Sequence, residues 1–169
     1  SSLVHRLGTF DWNDLQMEKN YFAQRPYNQT KLANLLFARE LQRRAVAKGL
    51  PLLSLAVHPG VSRTNIGNSR KALGEYHLLD HLISGVLGVV MKVFGQSAEG
   101  GGWPTLYAAT MPGVTPGGFY GPDGLGETRG APAPAKIHRA GLDDETARKL
   151  WEVSEKLTGA RFAALEPAR

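Results

Sequence analysis

Tyr27 and Lys31 stand four residues apart at the head of a long helical pattern. That spacing puts both side chains on one helix face, within reach of one ligand. The pairing has a chemical use. A phenol ionises near pH ~10 and is a poor base at neutrality. A neighbouring ammonium favours the phenolate, so such a tyrosine can pass a proton to or from an alcohol oxygen. The lysine can donate to sugar hydroxyls at the same time. A chain with five tyrosines holds such a pair by chance about one time in four, so its surroundings must decide.

Two other segments point to the same place. Leu52 to Val57 is a short apolar run between Pro51 and His58-Pro59-Gly60, and it reads as a buried strand of a parallel sheet. Ligands of such sheets sit in the crevice at the carboxyl ends of the strands. Pro59 fixes a bend there, Gly60 lets the backbone approach something flat, and Thr64 is placed to offer a hydroxyl. Taken alone, His-Pro-Gly is more often an ordinary turn. If Ser1-Ser2 trail a further strand, three segments converge on one crevice.

The elements that hold these residues follow from local signals. Pro26 opens a helix from about Tyr27 to Lys48, stopped by Gly49 and Pro51. One of its faces carries Leu35, Ala38, Leu41 and Ala45 in line with Tyr27 and Lys31. A second carries Leu32, Ala33, Leu36 and Phe37. A helix apolar on both sides is buried on both sides, one against a sheet and the other against a second layer or a partner subunit. Before it, Gly8 to Asn20 is polar, with Asp11, Asn13 and Asp14 as turn formers. After the Leu52–Val57 run come an amphipathic helix around Leu78 to Phe94 and another over about Ala98 to Thr110. Gly118-Phe119-Tyr120 reads as a last strand, within a Gly- and Pro-rich stretch from Gly113 to Pro134 expected to be a long loop. A closing helix runs from Asp143 or Asp144 to Thr158, with acids at its start, Lys156 in its last turn and Gly159 beyond. The order gives an α/β fold class.

Bulk properties exclude several functions. The 169 residues are 42% apolar, enough for one globular domain. The formal charge is +5, and its densest basic group is Arg39, Arg43, Arg44 and Lys48 with Glu40 among them. That is the spacing of a solvated helix face, so nucleic acid is not an expected partner. The chain has no cysteine, which rules out disulfides, thiolate catalysis and Cys-based zinc sites and suits a cytoplasmic protein. No stretch reaches the ~20 apolar residues of a membrane span. His77 and His81 have metal-ligand spacing but no accompanying acid or third ligand, so they read as a helix face and no metal is expected. The opening Ser1-Ser2-Leu3-Val4-His5 carries neither a Met nor a signal-peptide n-region, and reads as a sequence entered midway.

Tyr27-Asn28-Gln29-Thr30-Lys31-Leu32-Ala33-Asn34 resembles the Tyr-x-x-x-Lys segment of the short-chain dehydrogenase/reductase family. The likeness is to the branch holding retinol dehydrogenases, the WW-domain oxidoreductase and protochlorophyllide reductase. Other stretches fall in family order: Ser1 to Gly8 for the serine segment, Val57-His58-Pro59-Gly60-Val61 with Thr64 for the nicotinamide turn, Glu99-Gly100-Gly101 with Leu106 to Ala109 for a later helix, and Gly118 to Pro122 for the last strand. The resemblance implies that residues 1–169 are the C-terminal catalytic part of a single NAD(P)-binding domain, a portion of a Rossmann-type doubly wound parallel sheet. It implies that Tyr27 acts as general acid in reduction and base in oxidation. Lys31 favours the ionised phenol and binds the nicotinamide ribose, while Ser2 holds the substrate oxygen. Pro59, Gly60, Val61 and Thr64 contact the nicotinamide end. The family's Gly-rich phosphate loop, Asn-Ala-Gly strand and catalytic Asn belong before the serine and are not among these residues, so NAD and NADP are not distinguished.

The expected function is hydride transfer between a nicotinamide cofactor and a small alcohol or carbonyl substrate, by a homo-oligomer. If the Leu78–Phe94 helix covers the site, Leu82, Val86 and Val90 favour an apolar substrate; the same helix also reads as plain core or, less well, as a membrane-surface helix. The rival reading is a truncated, non-catalytic fragment or scaffold that pairs through its apolar helix faces.

Overall fold

The computed structural model describes residues 1–19, 21–62 and 95–165. Helix α1 spans Gln24–Ala47, three residues earlier than its signals place it. Pro26 therefore lies in the first turn, where a missing N–H costs nothing. Lys48 closes the helix, and Gly49 follows with φ +61°, the left-handed conformation glycine accepts without strain. Helices α2 (Ala98–Thr110) and α3 (Asp144–Thr158) match their expected bounds. Ser97 caps α2 by accepting from the Gly100 N–H. Asp143 caps α3 by accepting from Glu145 and Thr146, and Gly159 ends it at φ +68°. A Cβ at Gly159 would meet no neighbour within 4 Å, so only the backbone opposes one. Gly159→Ala is expected to lower stability by about 1 kcal/mol, read from urea unfolding; an unchanged midpoint would show that the cap contributes nothing.

Among the described residues the sheet has three strands, in the order β1 (Ala56–Val57), β2 (Phe119–Pro122), β3 (Pro132–Pro134). β1 and β2 run parallel with Ala56 opposite Phe119, and β2 and β3 run antiparallel with Gly121 opposite Ala133. This is a mixed α/β arrangement, part of a Rossmann-like fold. Two expectations change. Only Ala56 and Val57 of the apolar run join the ladder, while Leu52 and Leu53 are exposed. The strand expected at Gly118–Tyr120 is β2, but it is not the last, because the Gly113–Pro134 stretch also holds β3. β3 escaped notice because its prolines lack N–H groups, which an edge strand tolerates.

Both faces of α1 pack within the chain. Leu35 and Ala38 pack on Ala56 and Phe119 of the sheet. Leu32 and Leu36 pack on Ala147 and Leu150 of α3, with Phe10 and Trp12 over them. On the second face α3 thus covers Leu32 and Leu36, while Phe37 is 42% exposed. The basic group is no plain solvated face either. Glu40 is 1% exposed and accepts from Arg43 and Arg44 in three bonds of 2.7 Å, and Arg44 lies 4.7 Å over the ring of Trp151. Burial pushes the Glu40 carboxyl upward, but its bonds to the two guanidinium groups outweigh that and hold it below the ordinary value. The helix expected at Leu78–Phe94, with His77 and His81 beside it, lies outside the described residues. No described helix is long and apolar enough to cross a membrane.

Candidate active site

Three segments meet at the carboxyl end of β1. Ser1 joins them: its nitrogen donates to the Val57 carbonyl at 2.8 Å and its hydroxyl to the Lys31 carbonyl at 2.7 Å. The Ser1-Ser2 turn is thereby held against both the first turns of α1 and the end of the strand. Ser2 opens a 3-10 turn, Leu3–Leu7, accepting from the Val4 N–H at 3.4 Å. Its hydroxyl hydrogen is not committed to any described residue. Gly8 ends that turn where a Cβ would meet the Leu32 side chain at 2.6 Å and the Asn28 carbonyl at 2.8 Å. Only glycine lets the turn sit this close to α1.

Tyr27 and Lys31 share one face of α1, with the Lys31 ammonium 5.2 Å from the centre of the Tyr27 ring. Tyr27 is 38% exposed. Neither the phenol nor the ammonium hydrogen-bonds any described side chain or backbone group. Behind them Asn28 and Gln29 are buried and tethered: Gln24 donates to Asn28 at 2.7 Å, and Gln29 to the Leu15 carbonyl at 3.0 Å. The helix face that carries the pair is therefore anchored from its other side.

The turn after β1 differs from expectation in its detail. Gly60 has φ +64°, and the space beside it is filled by the Thr128 carbonyl and by Pro122. Its close approach is to the protein's own backbone. The Val61 N–H donates to the Thr128 carbonyl at 2.8 Å, and the Val61 carbonyl accepts from Gln96 at 2.8 Å. The Gln96 side chain also donates to the Pro59 carbonyl at 2.8 Å. The Pro59 carbonyl, the Gly60 N–H and both backbone groups of Val61 are thus bonded within the protein. Thr64 lies outside the described residues.

Two histidines escaped the sequence reading. His5 is fully buried: Nδ1 donates to the Ser2 carbonyl at 2.8 Å, and Nε2 accepts from the His138 N–H at 3.2 Å. A single neutral tautomer satisfies both bonds. His58 is also fully buried and accepts from the Gly60 N–H at Nδ1, so Nε2 carries the hydrogen. That nitrogen lies 3.4 Å from Glu127 Oε2 but outside hydrogen-bonding alignment. The two rings flank Phe119 at 5.1 and 5.0 Å. Burial lowers both pKa values, that of His58 to about 4, with the nearby Glu127 carboxylate opposing. The signal for His5 was present: it lies three residues after Ser2, within reach of that residue's carbonyl once the turn is 3-10.

The residues present suit the nicotinamide end of a dinucleotide: an ammonium and a phenol on one exposed face, a hydroxyl beside them, and a fixed turn opposite. Among the described residues no group of three or more His, Asp or Glu is placed to hold a metal ion. A shallow open depression lined by His138, Arg139, Ala140, Leu142 and Asp143 contains none of the candidate residues.

The chain is similar to several known proteins. No protein-family model matches the chain. Individual proteins do. The chain is 30% identical to retinol dehydrogenase 14 of Homo sapiens over 94% of its own length and 43% of that protein. It is 34% identical to retinol dehydrogenase 13 of Homo sapiens, over 94% of this chain and 44% of that one. To the WW domain-containing oxidoreductase of Homo sapiens it is 34% identical, over 94% of this chain and 34% of that one. A crystal structure of an uncharacterised protein from Mycobacterium paratuberculosis superposes with a TM-score of 0.67 at 32% identity, covering 96% of this chain and 49% of that chain. In fold and sequence the chain is similar to the short-chain dehydrogenases/reductases. Within that family the likeness is to the retinol dehydrogenases and the WW domain-containing oxidoreductase, and the chain spans less than half the length of each protein compared.

Proposed function

We propose that the chain carries the catalytic part of an NAD(P)-dependent oxidoreductase that interconverts an alcohol and a carbonyl. The observation that carries this reading is the meeting of Ser1-Ser2, the Tyr27–Lys31 face and the end of β1 at one corner. Its support from outside is the likeness to proteins named as dehydrogenases and oxidoreductases. A nicotinamide cofactor, when bound, supplies or accepts the hydride. The chain's own residues handle the oxygen and its proton. In reduction the Tyr27 hydroxyl gives its proton to the carbonyl oxygen; in oxidation the phenolate takes it back. Lys31 stabilises the phenolate by its charge and offers N–H donors to the ribose hydroxyls. The Ser2 hydroxyl, which donates to no described residue, donates to the substrate oxygen and fixes its direction. Pro59, Gly60, Val61 and Thr64 line the nicotinamide end. NAD and NADP are equally compatible, and the substrate is apolar if the Leu82, Val86 and Val90 side chains face it.

The alternative, a truncated, non-catalytic fragment or scaffold that pairs through apolar helix faces, gains no support from Leu32 and Leu36, which α3 covers. The test is a coenzyme-dependent assay of the full-length protein against a panel of apolar alcohols and aldehydes. Turnover is expected, with Ser2→Ala lowering kcat by about 100-fold to 1,000-fold. A fully active Ser2→Ala protein would remove Ser2 from the site, and no turnover with any panel member would return the scaffold reading to first place.

A further inference from the structure

Glu127 adopts a backbone conformation that glutamate does not favour. Its φ is +57°, directly after Gly126 at +61°, and such a residue persists only where its surroundings over-determine it. Here the carboxylate is the constraint. One oxygen accepts from the Arg6 guanidinium at 2.7 Å and the other from the Lys136 N–H at 2.8 Å. The side chain is 16% exposed and faces the buried Nε2 of His58 at 3.4 Å. Arg6 belongs to the 3-10 turn that Ser2 opens, 121 residues away in sequence. The next residue, Thr128, accepts from the Val61 N–H and fills the space beside Gly60. The strained Glu127 thus holds the serine turn with its side chain, and its neighbour Thr128 holds the turn after β1 with its backbone.

We propose that Glu127 is a positioning residue, which clamps the Ser2 turn to the His58–Val61 turn and so fixes the substrate oxygen's donor relative to the nicotinamide seat. The functional part of this inference rests on the reading given under Proposed function; the clamp itself does not. A decorative ion pair on a half-exposed arginine would do neither, since such pairs add little and order nothing. The two turns also meet at the Ser1–Val57 bond and at Phe119, and Glu127 adds the ion pair that ties them through the Arg6 side chain.

The experiment compares the full-length protein with Glu127→Gln, Arg6→Gln and the double variant. Glu127→Gly serves as a second probe that removes the carboxylate while relieving the positive φ, so folding is retained. Amide hydrogen exchange is read at His5 and Gly8 in the serine turn, at Val61 in the other turn, and in α3 as control. In Glu127→Gln both turns exchange about tenfold faster and α3 is unchanged. In the same variant kcat falls about tenfold with KM for the alcohol within about twofold, and the double variant loses no more than either single one. Unchanged exchange, or faster exchange in one turn only, overturns the clamp whatever the activity. Faster exchange in both turns with unchanged kcat overturns its positioning role. Faster exchange in both turns with no hydride transfer even in the unsubstituted protein supports the clamp and refutes the functional reading instead.

Discussion

Tyr27→Phe lowers kcat by about 100-fold to 10,000-fold while the protein stays folded. The magnitude is that of removing a positioned general acid. The retained fold follows from the surroundings of Tyr27, whose ring is 38% exposed and whose hydroxyl bonds no described residue. Phenylalanine keeps the ring beside Lys31, 5.2 Å from its ammonium, and loses only the proton carrier. Steady-state rates and a thermal melt on the same preparation check both halves of the expectation. A kcat within twofold of the unsubstituted protein would take Tyr27 out of the proton path. A collapsed melt would make it a structural residue.

The shared face of Tyr27 and Lys31 was legible in the sequence, because a Tyr-x-x-x-Lys pair on a helix is a local feature whose geometry the helix period dictates, while the role of Tyr27 came from the family resemblance. The same holds for α3, whose Asp143 cap and Gly159 stop are read one residue at a time. What depended on distant contacts was not legible. Leu52 and Leu53 have the composition of a buried strand, yet they are exposed, since burial is decided by what packs against them. Glu40 reads as one charge among many on a solvated face until α3 and Trp151 close over that face. Gly60 has the right type for its turn, but its neighbour is Thr128, 68 positions on and within a stretch with no periodicity to announce it. Glu127 was invisible for the same reason.

Acid weakens the fold before the carboxylates take effect. His58 has a pKa of about 4 in the folded chain against an ordinary 6.5, because burial disfavours its charged form. Between those values the unfolded chain binds a proton that the folded chain refuses, so stability rises with pH there. Its full value is present above pH 6.5 and declines as the pH falls toward 4, by on the order of 3 kcal/mol. His5, also lowered by burial, acts in the same direction. The Glu40 and Asp143 carboxyls are held below their ordinary values, so their contributions are lost further into acid. Urea unfolding at pH 7 and pH 4.5 reads the difference. His58→Asn supplies an oxygen to accept from the Gly60 N–H without titrating, and it is expected to flatten the slope by about one proton's share. A slope unchanged in that variant would assign the acid sensitivity elsewhere.

The central claim is that Ser2, Tyr27 and Lys31 serve hydride transfer at the corner beside β1. The most direct measurement follows deuterium from reduced nicotinamide cofactor, labelled at ring position C4, into an apolar aldehyde, using mass spectrometry and the full-length protein. The account predicts one deuterium on the carbon bearing the new hydroxyl, delivered about 100-fold or more slowly by Tyr27→Phe. No label in the product, or equal delivery by Tyr27→Phe, would contradict it.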